Sequence, residues 1–138
     1  MIFSEKDFDY ERLVELINTK SPFTIKNGIE AVEIKKGYSH LELDISEKFM
    51  NLNDTVHGGL LFTLADMAAG AAAMSFGKQV TTLNGSINFF RPALSGKLIA
   101  KCNAVHAGRR TIVCETEIFS NEGKLLCKST MTMFVLNN

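Results

Sequence analysis

The 138-residue sequence predicts an α+β fold: a curved antiparallel sheet of about five to six strands wrapped around one long central helix, with a short N-terminal helix. Three observations predict it. Residues Thr55 to Phe76 form a run with one charged side chain, Asp66, too apolar for a surface helix. The segments on either side of it alternate apolar and polar residues with the two-residue period of strands. Short turns separate those segments, so sequence neighbours run antiparallel. A helix buried on nearly all sides needs a sheet that curls around it.

The elements follow in order. Ser4 to Asn18 is helical by the recurrence of Phe8, Leu13 and Ile17, with Ser4 or Asp7 as its cap and Ser21-Pro22 as its stop. Ile29 to Lys36 alternates through Ile29, Ala31 or Val32, and Ile34. Gly37-Tyr38 is a turn, and Leu41, Leu43 and Ile45 alternate with His40, Glu42 and Asp44 in a second strand. Ser46 to Thr55 is polar and irregular, a loop leading into the central helix. Gly77-Lys78 breaks that helix. Val80 to Phe90, Gly96 to Val105, Thr111 to Phe119 and Leu125 to Leu136 are four further strands, with Ala107-Gly108-Arg109 and Asn121-Glu122-Gly123 as turns. Residues 1–138 make a single domain with no linker or repeat, long enough to bury a core.

Composition excludes several functions. Fifteen acidic and fifteen basic residues give zero net charge, which offers no footprint for nucleic acid. The central run approaches the roughly 20 residues of a membrane span. A carboxylate at its middle costs on the order of 3 kcal/mol in a bilayer, and no cluster of Lys or Arg flanks it, so a core helix is expected. Cys102, Cys114 and Cys127 have no metal-knuckle spacing and read as buried free thiols. The charged N-terminus lacks the apolar core of a signal peptide, and a cytoplasmic location is expected. His40, on an alternating strand, and His106, before a turn, are expected at the surface.

The chemistry concentrates where the loop enters the central helix. The first amides of a helix have no internal acceptor and lie at the positive end of its dipole. Glycine lets a ligand approach them closely. His57-Gly58-Gly59 can therefore aim N–H groups at a carbonyl oxygen and stabilise the oxyanion formed on attack. Asp66 follows about two turns later, some 10–12 Å along the axis at roughly 1.5 Å per residue. That is too far to serve the same carbonyl from the same helix. If both residues act, the site spans two subunits. A structural Asp paired across an interface is the other reading. No G-x-S-x-G or other nucleophile–base motif is present, and water activated by a carboxylate needs no metal or cofactor.

Asn51, His57-Gly58-Gly59-Leu60, Leu64-Ala65-Asp66, Gly70, Asn88-Phe89-Phe90-Arg91-Pro92-Ala93 and Gly108-Arg109-Arg110 together resemble the hotdog-fold thioesterases. The resemblance is to the PaaI-like branch, which includes phenylacetate-pathway and THEM-type acyl-CoA thioesterases, and covers the chain from about Gly28 onward. It implies a dimer, often paired into a tetramer. It implies that Gly58 polarises the thioester carbonyl and that Asp66 of the opposite subunit activates water or attacks. It further implies that Asn51 orients the water, that Thr82 assists Asp66, and that His57 shapes the loop.

For an acyl-CoA substrate, Gly59, Leu61, Phe62, Phe89 and Phe90 are candidates to line the pocket. Arg91, Arg109, Arg110 and Lys128 are candidates to hold the phosphates of CoA, itself part of the substrate. Ordinary surface cations are the alternative for those four. Three other functions remain on the same scaffold: a non-catalytic acyl-CoA sensor, an acyl-carrier-protein thioesterase, and a hydratase pairing His57 with Asp66. The sensor would ordinarily carry a DNA-binding domain, and no helix-turn-helix or basic patch is visible.

Overall fold

The computed structural model describes residues 7–136. Its elements are α1 (Tyr10–Lys20), α2 (Pro22–Lys26), β1 (Ile29–Lys35), β2 (Tyr38–Asp44), α3 (Gly58–Met74), β3 (Val80–Phe89), β4 (Lys97–Ala107), β5 (Thr111–Ser120) and β6 (Leu125–Val135). The six strands form one antiparallel sheet in the order β1-β2-β4-β5-β6-β3. Helix α3 packs against all six strands. This is the hotdog fold. Eight of the 17 residues of α3 are buried. The others, Asp66, Gly70 and Met74 among them, are only partly covered or exposed, so the helix is not enclosed on nearly all sides as expected. No helix of the described residues is long and apolar enough to cross a membrane.

The alternation in the sequence is realised as a core face. Ile112, Cys114, Thr116 and Ile118 of β5 are all buried, as are Met131 and Met133 of β6. Both strands pack on α3, where Leu64, Ala65, Ala68, Ala69 and Ala72 belong to the same core and the alanines let the sheet come close. Two buried hydroxyls fasten the helix to the sheet. Ser39 Oγ donates to the Ala68 carbonyl at 2.6 Å, and Thr116 Oγ1 to that of Ala65 at 3.3 Å. Both anchors flank Asp66. At the β1–β2 turn Gly37 has φ +75°, and a Cβ there would also press on the Phe76 ring at 3.2 Å.

Several expectations need correction. The first helix begins at Tyr10, not near Ser4. Its cap is Asp9, whose carboxylate accepts the Arg12 N–H at 2.9 Å, because the chain turns at Asp7 with φ 55°. Ser4 lies outside the described residues. Ser21-Pro22 does end α1, but Pro22 then occupies the first turn of α2, where a missing N–H costs nothing. The irregular loop holds a 3-10 turn at Glu47–Phe49. The choice between Ala31 and Val32 resolves as a bulge: Ala31 is buried and Val32 exposed. His40 is not a free surface residue. It is half-buried, with Nε2 2.8 Å from a Glu42 carboxylate oxygen. His106 is exposed, as expected, and the three cysteines are buried and unpaired.

Candidate active site

The loop before α3 is tied down by Asn51. Its Oδ1 accepts the N–H groups of Asn53 (2.8 Å) and Thr55 (3.2 Å), and its Nδ2 donates to Thr55 Oγ1 at 2.8 Å. One N–H of that amide remains beyond these bonds. The loop then docks on its surroundings. The Val56 N–H donates to the Ala93 carbonyl and the His57 N–H to that of Phe49, each at 2.9 Å. His57 is the N-cap of α3 by position only, because its exposed imidazole makes no capping bond. Its carbonyl takes the N–H groups of Leu60 and Leu61. The amides of Gly58 and Gly59 are the two left without an acceptor among the described residues. A Cβ at Gly59 would meet open space, and one at Gly58 would meet the Phe89 ring at 3.2 Å.

An open cleft of about 300 Å³ lies there, lined by Gly58, Leu61, Phe89, Phe90 and Arg91. These are residues the sequence nominated. Phe62 is not among its walls and lies instead toward Gly85 of β3. Arg109 and Arg110 are far away. They precede Thr111, which is in register with Phe134 and Thr81 at the start of β3, whereas Arg91 follows Phe89 at its end. Thr81 and Phe89 are roughly 25 Å apart at the rise of a strand. Within one chain, then, the arginines do not form a cluster. Lys128 is exposed opposite Asn88.

Asp66 opens on a different cleft. It is half-buried, because the helix face it shares with Gly70 and Met74 is the face the sheet leaves partly uncovered. Thr82 Oγ1 donates to Asp66 Oδ1 at 2.6 Å, a short, charge-assisted bond. Oδ2 has no partner among the described residues. This second cleft, about 230 Å³, runs between Asp66, Met67, Thr82 and Met133 and reaches Ser21 and Thr24 at the α1–α2 corner.

Sequence reasoning missed that cleft, although Gly70 signalled it. Glycine inside a helix costs about 1 kcal/mol relative to alanine, in a stretch that is otherwise largely alanine. A Cβ at Gly70 would meet nothing within 4 Å. The described residues hold no cluster of ligands that could bind a metal.

The two clefts sit at opposite ends of β3. That strand is at the sheet's edge, is exposed along almost its whole length, and contains no charged residue.

A family profile described as thioesterase superfamily matches residues 53–127, more than half the chain. The 1,4-dihydroxy-2-naphthoyl-CoA hydrolase of Listeria monocytogenes is 34% identical over 78% of this chain and 90% of its own. The acyl-coenzyme A thioesterase PaaI of Escherichia coli is 31% identical over 70% of each chain. The structure of that PaaI protein matches 93% of this chain and 94% of its own with a TM-score of 0.88 at 23% identity, a likeness of fold. A hypothetical thioesterase of Streptococcus pneumoniae TIGR4, solved with coenzyme A, matches 80% of this chain and 87% of its own with a TM-score of 0.76 at 34% identity. It has also been solved with an aspartate replaced by alanine and with a threonine sixteen positions later replaced by alanine.

Proposed function

The chain belongs to the thioesterase superfamily, in its hotdog-fold, PaaI-like branch, and from that premise we propose that it hydrolyses acyl-CoA thioesters to free acid and CoA in sites shared by two subunits. The observation that carries this reading is the division of the chemistry between two clefts at opposite ends of one uncovered strand. Two-fold pairing of β3 with the β3 of a second copy sets the start of one strand beside the end of the other. Asp66 and Thr82 of one subunit then approach Gly58 and Phe89 of its partner. The same operation brings Arg109 and Arg110 of one subunit toward Arg91 of the other, where they hold the phosphates of CoA. Two such dimers pair into a tetramer.

In the shared site the thioester carbonyl oxygen accepts the free amides of Gly58 and Gly59. Asp66 from across the interface, its Oδ1 held by Thr82, turns Oδ2 to a water molecule. The remaining N–H of Asn51 orients that water, and His57 keeps the loop in shape. Water oxygen bonds to the carbonyl carbon as its proton passes to Asp66. The tetrahedral oxyanion is stabilised by the glycine amides at the positive end of α3. It collapses, the C–S bond breaks, and the proton returns to the departing thiolate. Coenzyme A in the streptococcal structure supports CoA as the leaving thiol. That protein's aspartate–threonine separation equals that of Asp66 and Thr82, which supports the pairing of those two.

Complementation tests the sharing. Gly58→Pro deletes the amide while suiting the first position of a helix, and His57 at φ −54°, ψ 135° already has the backbone that precedes proline. Gly58→Pro and Asp66→Ala proteins are each expected to be inactive toward acyl-CoA. Unfolded and refolded together in equal amounts, they should recover about a quarter of wild-type activity, because half the dimers are mixed and each carries one intact site of two. No recovery in refolded mixed dimers would place Gly58 and Asp66 in the same subunit's site.

A further inference from the structure

The cleft beside Asp66 is larger than activation of a water molecule requires, and its walls have a consistent character. Ile17, Leu41, Met67, Met74, Val80 and Met133 supply apolar surface, and among the described residues no aromatic side chain lines it. Phe89 and Phe90 belong to the other cleft. Within one chain an aryl group would lack the offset or edge-on ring contacts that favour it. Methionine is unbranched and polarizable and moulds itself to irregular apolar shapes. Gly70 lies one turn beyond Asp66 on the same helix face, and Met74 one turn further, so a channel along that face is about 12 Å long. At Gly85 a Cβ would run into the Met131 sulfur, so packing explains that glycine. At Gly70 a Cβ would meet nothing within 4 Å, so packing among the described residues does not. Thr24 is wholly buried, its hydroxyl bonded to Ser21 at 2.7 Å, and with Ile17 it walls the cleft on the α1–α2 side.

We propose that this cleft is the acyl subsite and takes an unbranched aliphatic chain, with Gly70 as the residue that lets the chain pass Asp66 and the α1–α2 corner as the stop that sets its length. This rests on the reading of Asp66 as the group that activates water. It moves the acyl group away from Phe89 and Phe90, which face the CoA side of the thioester. It also gives α1 and α2, which lie outside the segment matched by the superfamily profile, a role in substrate choice.

The test is thiol release from a series of straight-chain acyl-CoAs, butyryl to dodecanoyl, alongside phenylacetyl-CoA, with the full chain. A medium straight chain is expected to exceed phenylacetyl-CoA by about tenfold or more in kcat/KM, the order of discrimination an apolar pocket provides. Gly70→Leu should lower the octanoyl-to-butyryl ratio of kcat/KM by about tenfold. Ile17→Ala should move the optimum to a longer chain. Phenylacetyl-CoA as the best substrate, or a chain-length profile unmoved by both substitutions, overturns the subsite and leaves the thioesterase reading standing. A Gly70→Leu protein with an altered oligomeric state assigns the glycine to subunit packing, and also overturns it. Release of no thiol from any member of the series ends both readings.

Discussion

The sheet has two edges, and they are built differently. At one, β1 is seven residues long, carries Glu30, Glu33 and Lys35, is broken by a bulge at Val32 and is covered by α1. At the other, β3 is ten residues long, carries no charge and is exposed along nearly all of its length. Charges, bulges and covering helices are the means by which a sheet blocks pairing with another chain. The β1 edge has all three. The bulge at Leu83 is the one such feature of β3. An edge left open in this way is suited to a specific partner, and the two clefts with their chemically distinct residues lie at its ends. In the proposed dimer, then, one border of the sheet is blocked against pairing and the other is left to assemble the site.

The largest expected effect falls on the open edge. Asp66→Asn should lower kcat/KM for acyl-CoA by about 10²–10⁴, the range for loss of a general base, with an unchanged circular dichroism spectrum. Wild-type turnover in that variant would remove the carboxylate from the mechanism. Next, the double substitution Asn84→Asp with Ser86→Asp puts like charges across the proposed β3 pairing. Sedimentation should show monomers, and turnover should fall by about 10² or more, consistent with loss of the oxyanion donors from the site. Val32→Asp on β1 should change neither measurement; equal dissociation by both variants would erase the distinction between the edges.

A smaller effect is expected at Thr82. Thr82→Ala removes one hydrogen bond to a charged group, worth about 1.5–3 kcal/mol, and should reduce kcat by roughly 10–100-fold. Thr82→Ser should restore most of it. The last effect falls on stability at high pH and not on turnover, and comes from behind β3, where Cys127 pairs in register with Phe89. Burial pushes its thiol from 9.0 up to about 12. The neutral thiol is thus favoured by folding. Its contribution is fully present below the unfolded value near 9 and is lost as the pH rises toward about 12. Thermal melts over that interval should show a shallower decline for Cys127→Val than for the wild type.

Much of this was legible in the sequence because it depends on period and punctuation. The six strands and the central helix follow from alternation, a long uncharged run and turn residues between them. The start of α1 was harder to read. Asp7, Asp9 and Ser4 are all capping residues, and the turn at Asp7, a backbone conformation, decides among them. Gly58, Asp66 and their separation along α3 could be read directly, because helical rise converts sequence distance into length. Helical rise alone sets one carboxylate and one unfilled helix start too far apart to act on one carbonyl. The 2.6 Å bond from Thr82 to Asp66, the remoteness of Arg91 from Arg109 and Arg110, and the cleft that Gly70 opens under the α1–α2 corner emerge with packing. Each of these depends on which strand lies beside which and on what each side chain meets across the core. That order places β3 next to β6 at an edge, and no local pattern in residues 80–89 encodes it.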